Sequence, residues 1–449
     1  MFGKLSSRDL LFVAVGAASA TALYWCTSKL SETLTDKGLR SNQGKGRNGA
    51  KESNETFLVS PERLKKFVES VFLKCGLGSD DAKIAAEVLI LADLRGIDSH
   101  GVARLMAYFS MLKNKIINPT PNIRIIRETD SSATVDGDNG LGLVVGPKCN
   151  EIAMMKAKKA GTGWVSVRNT NHFGIAGSYP LESLKHDMIG ISMTNSGSVV
   201  SPLRGKERFL GTNPIAIAFP GTNKERPMVI DFATSVVPWG KVEEYSRQNK
   251  PLSSNWAIGK DGKQCLDPDV VLKEGALLNL GGQRETSGHK GYCLAAMVDI
   301  LCAVLSGGNW GPTVDGFTTN EVNYGDSTAE GRCKDNNSLG GNNRIKGICH
   351  FFGAMRIDGF RDVEAFKETM DKWMGTFRRC KPIDQSKPVM IPGDPEWAAF
   401  EERSKTGIPV KLAVCADMVD ISKECGVPLP FDESKVDFSG VKRVVIATT

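Results

Sequence analysis

An α/β fold follows from two features of this sequence: short apolar runs of strand length, and amphipathic helical stretches between them. The runs Trp164-Val165-Ser166-Val167, Ile189-Gly190-Ile191-Ser192-Met193, Ile215-Ala216-Ile217-Ala218-Phe219 and Met228-Val229-Ile230 read as buried strands. Polar residues stand at their ends: Asn169-Thr170-Asn171-His172, Thr194-Asn195-Ser196 and Asp231. Functional side chains at strand ends and helix starts are the usual α/β arrangement. Apolar residues make up 41% and charged residues 24% of the 449, an ordinary globular composition with ample length for a core.

The elements follow in chain order. Lys4 and Arg8 precede an uncharged run over residues 10–26 that ends near Tyr24-Trp25 and is closed by Lys29. That length approaches the minimum for a membrane-spanning helix. Residues 1–30 are therefore expected to be a hydrophobic anchor or targeting segment, giving membrane attachment or an organellar address. Residues 31–56 are expected to be a flexible linker, since 36–54 carry almost no apolar side chain. A folded domain is expected over 57–449.

Within it, Ser60-Pro61 opens a helix, and Leu64, Phe67, Val68, Val71 and Phe72 form its apolar stripe before Cys75-Gly76. A second helix starts at Ser79, with Asp80 and Asp81 in its first turn, and Gly96 ends it. A helix restarting at Gly101 would put Arg104 one turn from His100. Thr134-Val135-Asp136 predicts a strand, and a helix is expected over 147–159. Gly140-Leu141-Gly142-Leu143-Val144-Val145-Gly146 has its third glycine one residue late and no clear preceding strand. It is expected to be a tight turn, not a dinucleotide-binding loop. A long apolar helix is expected over 291–305, directly after His289-Lys290. The Gly- and Asn-rich stretch 307–347 reads as a long loop, a lid or disordered, and residues 391–396 as a turn before a final helix.

The net charge of +6 is small for this length and does not imply a nucleic-acid partner. Eleven cysteines without a C-x-x-C pair read as reduced, buried side chains, so a reducing compartment is expected for the domain.

Three of the five histidines sit in short glycine-flanked segments: Asp98-Ser99-His100-Gly101, Asn171-His172-Phe173-Gly174 and Gly288-His289-Lys290-Gly291. Histidine exchanges protons near neutral pH, and an adjacent glycine lets the backbone turn sharply and a ligand come close. His350, inside Ile348-Cys349-His350-Phe351-Phe352, reads instead as a core histidine. No phosphate loop, H-E-x-x-H zinc pair or G-x-S-x-G elbow is present, and the histidines lack metal-ligand spacing, so no metal is expected. Taken singly, a histidine is more often structural and Arg104 more often a surface ion pair. Together, an arginine to hold a carboxylate, a proton-transferring histidine and Lys290 at a helix start suit an oxidoreductase of 2-hydroxy or 2-oxo acids.

Five segments in order resemble the malate/L-lactate dehydrogenase family of the second type, which includes ureidoglycolate, sulfolactate and diketogulonate oxidoreductases. They are Asp98-Ser99-His100-Gly101-Val102-Ala103-Arg104, Arg168-Asn169-Thr170-Asn171-His172-Phe173-Gly174, Gly211-Thr212-Asn213-Pro214, Asp231-Phe232-Ala233-Thr234-Ser235 and Gly288-His289-Lys290-Gly291-Tyr292. The resemblance implies an α/β, mixed-sheet NAD(P)-binding fold of the sulfolactate dehydrogenase type, not Rossmann, with the cofactor-binding part over about 125–350. It implies NAD or NADP as cofactor, a malate- or lactate-like substrate and a homodimer. It places His172, His100 and Ser99 at the catalytic positions and Arg104 at the substrate carboxylate. Ser196, Ile230, Asp231, Phe232, His289, Lys290, Gly393, Asp394, Pro395 and Glu396 fall where the family contacts its cofactor. Gln283-Arg284-Glu285-Thr286 stands as an insertion beside Gly288, and the loop over 312–346 is longer than usual. The alternative reading is a tethered, catalytically silent binding protein of the same fold.

Overall fold

The computed structural model describes residues 56–222, 224–314 and 347–438. The expected anchor, nearly all of the expected linker and most of the Gly- and Asn-rich loop lie outside the described residues. A short strand, β1 (Thr56–Val59), leads into helix α1 (Pro61–Lys74), where the Ser60 hydroxyl accepts from the Arg63 amide at 3.4 Å and Pro61 takes the first turn. All five residues of the predicted stripe are buried. Helix α2 (Ser79–Leu94) ends at Gly96, whose φ of +79° few other residues adopt. A 3₁₀ turn (Val102–Arg104) then opens helix α3 (Leu105–Lys113).

Strands β2 (Arg124–Glu128) and β3 (Ser132–Gly140) pair antiparallel, and helix α4 (Gly142–Ala160) connects β3 to the parallel strand β4 (Thr162–Thr170). Helix α5 (Ser178–Leu184) precedes β5 (Met188–Thr194), β6 (Ile215–Phe219) and β7 (Met228–Phe232). Helix α6 (Trp239–Arg247), strand β8 (Ala257–Ile258), helix α7 (Pro268–Glu274) and strand β9 (Ala276–Leu277) form a small excursion with its own apolar cluster. Helix α8 (Gly288–Asp299) runs into a π turn (Ile300–Val304). Strand β10 (Ile348–Arg356), helices α9 (Val363–Arg378) and α10 (Asp394–Thr406), strand β11 (Ile408–Lys411) and helix α11 (Leu412–Cys425) complete the order.

The main sheet has seven strands in the order β2-β3-β4-β10-β5-β6-β7, and only β3–β4 is parallel. This is the expected mixed sheet, unlike the mostly parallel sheet of a doubly wound fold. Its two faces alternate along β4 and β10. Val165, Val167, Phe352 and Ala354 join the cluster under α4, while Trp164 and Phe351 join Val298 of α8. Helices α1, α2, α3 and α11 pack in a second core, with Tyr108 buried inside it.

Four expectations are corrected. The segment from Gly140 is a strand-to-helix junction, because β3 runs into it and α4 begins at Gly142. The strand was obscured by Asp136-Gly137-Asp138-Asn139, poor strand formers that the fold absorbs with positive φ at Asp138 and Asn139 and a shift in register. Helix α4 therefore starts five residues before Pro147, which lies inside it. Helix α8 starts at Gly288, so His289 and Lys290 stand in its first turn and not before it. The helix after residues 391–396 is not the last, since α11 follows.

Candidate active site

Two distant loops meet at one place. The turn after α2 carries Ser99, His100 and Arg104; the loop after β4 carries His172. The His100 and His172 rings stack with centroids 5.6 Å apart. Ser99 Oγ lies 2.8 Å from His100 Nδ1, and Arg104 Nε donates to the Ser99 carbonyl at 2.8 Å. Tyr108 Oη, from α3, lies 2.6 Å from His172 Nδ1, to which the Gly174 amide also donates at 3.3 Å. Nδ1 accepts the amide hydrogen bond and so carries no proton, which leaves the neutral ring's proton on Nε2 as the donor it offers a substrate oxygen.

Local chemistry explains why the loops hold this shape. The Asp93 carboxylate, buried beneath the first turn, accepts from the Val102 amide at 2.8 Å. A Cβ on Gly101 would lie 2.1 Å from it, so only glycine fits there. Arg403 of α10 donates to the Asp93 carbonyl and pairs with Asp98. In the second loop, Asn169 and Gly174 take positive φ, and the Asn171 side chain donates to the Gly140 carbonyl at 3.0 Å. His350 is fully buried behind this loop, 2.8 Å from Thr194 Oγ1 and stacked on Phe173, as a core histidine.

Burial and the adjacent Arg104 guanidinium push the His100 imidazole down to about 4. Burial, with His100 and Arg104 nearby, holds His172 well below the ordinary range. Both rings are neutral at pH 7, the state in which imidazole accepts a proton.

A second feature is a cleft of about 180 Å³ lined by Arg95, Ile97, Gly177, Val229, Asp231 and, from residues 390–396, all but Asp394. Asp231, Gly393, Pro395 and Glu396 are thus brought together. The side chains of Ile230 and Phe232 go elsewhere, into clusters with Met228 and with α8, as the period-two alternation of β7 requires. Asp394 pairs with Arg378 at 2.6 Å. Ser196 sits apart from this cleft, accepting from the Thr212 amide at 3.2 Å. His289 is half-buried in the first turn of α8, with Nδ1 unmatched among the described residues, and Lys290 is exposed beside it. Residues 284–286 form a 3₁₀ turn just before α8.

The cleft suits one moiety of a dinucleotide. Arg95 is 3% exposed, and its buried Nη1 has no partner among the described residues. Gly177 lets its amide reach Asp231 Oδ2 at 2.7 Å. Among the described residues no cluster of His, Cys, Asp and Glu has metal-binding geometry, and no helix is long and apolar enough to cross a membrane.

Sequence reasoning missed Tyr108, Asp93, Arg95 and Arg403. Only Tyr108 left a trace, one turn after Arg104; the others act through contacts made by the tertiary fold.

A family model described as malate/L-lactate dehydrogenase matches residues 59–419. Malate dehydrogenase of Pyrococcus horikoshii is 42% identical over 370 residues, 82% of this chain and 96% of that protein. L-sulfolactate dehydrogenase of Methanocaldococcus jannaschii is 39% identical over 374 residues, 82% of this chain and 98% of that protein. The crystal structure of malate dehydrogenase from Entamoeba histolytica matches with a TM-score of 0.75 at 35% identity, covering 84% of this chain and 100% of that one.

Proposed function

The chain belongs to the malate/L-lactate dehydrogenase family and is a 2-hydroxyacid dehydrogenase, and from that premise we propose that it transfers a hydride between NAD or NADP and C2 of a small malate- or lactate-like acid. The observation that carries this reading is the neutral, stacked His100–His172 pair beside the Arg104 guanidinium. Arg104 would take the substrate carboxylate in a two-pronged hydrogen bond. His172 Nε2–H would give its proton to the substrate oxygen at C2 in the reductive direction and recover it in the oxidative one, while Tyr108 steadies the ring through Nδ1. His100, held by Ser99, keeps His172 in place and its pKa low. Asp231, Gly393, Pro395 and Glu396 would hold one moiety of the cofactor in the cleft, while Ser196, His289 and Lys290, outside it, would meet other parts of the dinucleotide. The nicotinamide, when bound, supplies the hydride acceptor or donor.

Malate is the first substrate to try, because the two relatives 42% identical are named malate dehydrogenase. The full-length chain should oxidise malate, lactate or a related acid with appearance of reduced nicotinamide absorbance. His172→Ala should lower kcat by about 10²–10⁴-fold with an unchanged circular dichroism spectrum. Full activity in that variant, or no turnover by the wild type across such a panel, overturns the reading. A homodimer is part of the proposal. An apolar ridge supports it: Met297, Ile300 and Val304, spaced along one helical face, are 38%, 53% and 55% exposed, followed by Leu305.

A further inference from the structure

Arg104 has two claims on it, a substrate carboxylate and an acid of this chain. Its Nη2 faces Glu243 Oε2 at 3.9 Å. Glu243 comes from α6 in the small excursion, whose first turn sits against the histidine turn. A Cβ on Gly240 would lie 3.5 Å from both Arg104 Nη2 and Ser99 Cβ. The neighbouring Glu244 turns elsewhere, to Lys241 at 3.0 Å and Lys411 at 3.7 Å. Of these two adjacent acids, Glu243 is the one aimed at the arginine.

Glu243 does not fix the position of Arg104. The guanidinium is anchored through Nε, which donates to the Ser99 carbonyl at 2.8 Å. At 3.9 Å the Glu243 contact is too long for a hydrogen bond and amounts to a through-space attraction between two partly exposed groups. With Nε committed, the edge left for a two-pronged grip on a carboxylate is the one formed by Nη1 and Nη2. Nη2 is the atom that Glu243 faces. A substrate carboxylate on that edge would lie beside the Glu243 carboxylate, and the two would divide one positive charge.

Resting on the dehydrogenase reading above, we propose that Glu243 is a specificity-determining residue: it competes with the substrate carboxylate for Arg104 and penalises most an acid that carries a second negative charge. Before substrate arrives it offsets the guanidinium charge. Once substrate is seated it is the repulsive element that separates a singly charged acid such as lactate from a doubly charged one such as malate.

The test is steady-state kinetics of the full-length protein with lactate and malate, reading KM where the acid is turned over and the inhibition constant where it is not. Glu243→Gln keeps the shape of the side chain and removes its charge. That constant should fall by about two- to fivefold, the range of a partly exposed ion pair, and further for malate than for lactate. The kcat should be nearly unchanged, because the repulsion acts on bound substrate and transition state alike. The gap between variant and wild type should narrow as salt is added, since screening weakens a charge effect and leaves a packing effect untouched. Glu244→Gln, whose carboxylate faces lysines, should leave the constants for both acids unchanged. A constant that rises or does not move in Glu243→Gln, equal falls for the two acids, or a change that salt does not reduce overturns the role of Glu243 and leaves the dehydrogenase reading standing. No turnover of any 2-hydroxy acid by the wild type overturns both.

Discussion

Tyr108 shows how much of the site depends on one buried contact. Its hydroxyl reaches His172 Nδ1 from the interior of the helical core, and burial pushes the phenol far above its ordinary range, so it stays neutral. Tyr108→Phe removes that bond and leaves the ring position intact. It should lower kcat about tenfold, as expected for losing one buried hydrogen bond, with KM for the acid nearly unchanged. The histidines also set a pH dependence. His100 has its pKa lowered to about 4 against 6.5 unfolded, so between those values the unfolded chain binds more protons. Its contribution to stability is complete above pH 6.5 and is lost as pH falls toward 4. Thermal denaturation from pH 7 to 4 should show a falling Tm, with a shallower fall in His100→Asn.

At the scale of elements, the junction of β3 with α4 positions the second histidine loop. Gly142 opens α4 directly under Asn171 and His172. A Cβ there would lie 2.1 Å from the Asn171 carbonyl and 2.4 Å from that of His172. Backbone oxygens cannot swing aside as a flexible side chain can, so Gly142→Ala must move the loop. The expected cost is about 1–3 kcal/mol, seen as a lowered Tm, with a larger proportional loss in kcat. The α2–α3 turn is secured differently, by the Asp93 carboxylate beneath it and by Arg403 reaching across from α10. Elements remote in sequence thus hold Ser99, His100 and Arg104 at one edge of the helical core.

For the whole molecule, the mixed sheet separates two tasks. The histidine pair lies where the helical core meets the loop after β4; the Asp231 cleft lies where β7 meets the turn before α10. The exposed ridge of Met297, Ile300, Val304 and Leu305 belongs to neither. If it is the dimer face, the wild type should show twice the chain mass by light scattering. Ile300→Glu combined with Val304→Glu should yield monomers that keep their circular dichroism spectrum.

Much of this was legible from local chemistry. The Ser60-Pro61 cap, the stripe on α1, the strands at 164–167, 189–193, 215–219 and 228–230 and the glycine-flanked histidines all depend on neighbours in sequence. Strand β3 was largely hidden because its Asp, Asn and Gly residues violate strand propensity, and sheet pairing on both sides overrides that. The sequence by itself determined the α/β class, the family motifs and which residue types were available for proton transfer. Only the tertiary structure decided that His100 stacks on His172, that Tyr108 and Asp93 support them, and that Arg95 lines one cleft with Asp231 and Glu396. Those pairs are separated by 64 residues or more in several cases, as Tyr108 is from His172, and contacts at such distances arise from packing that no local pattern encodes.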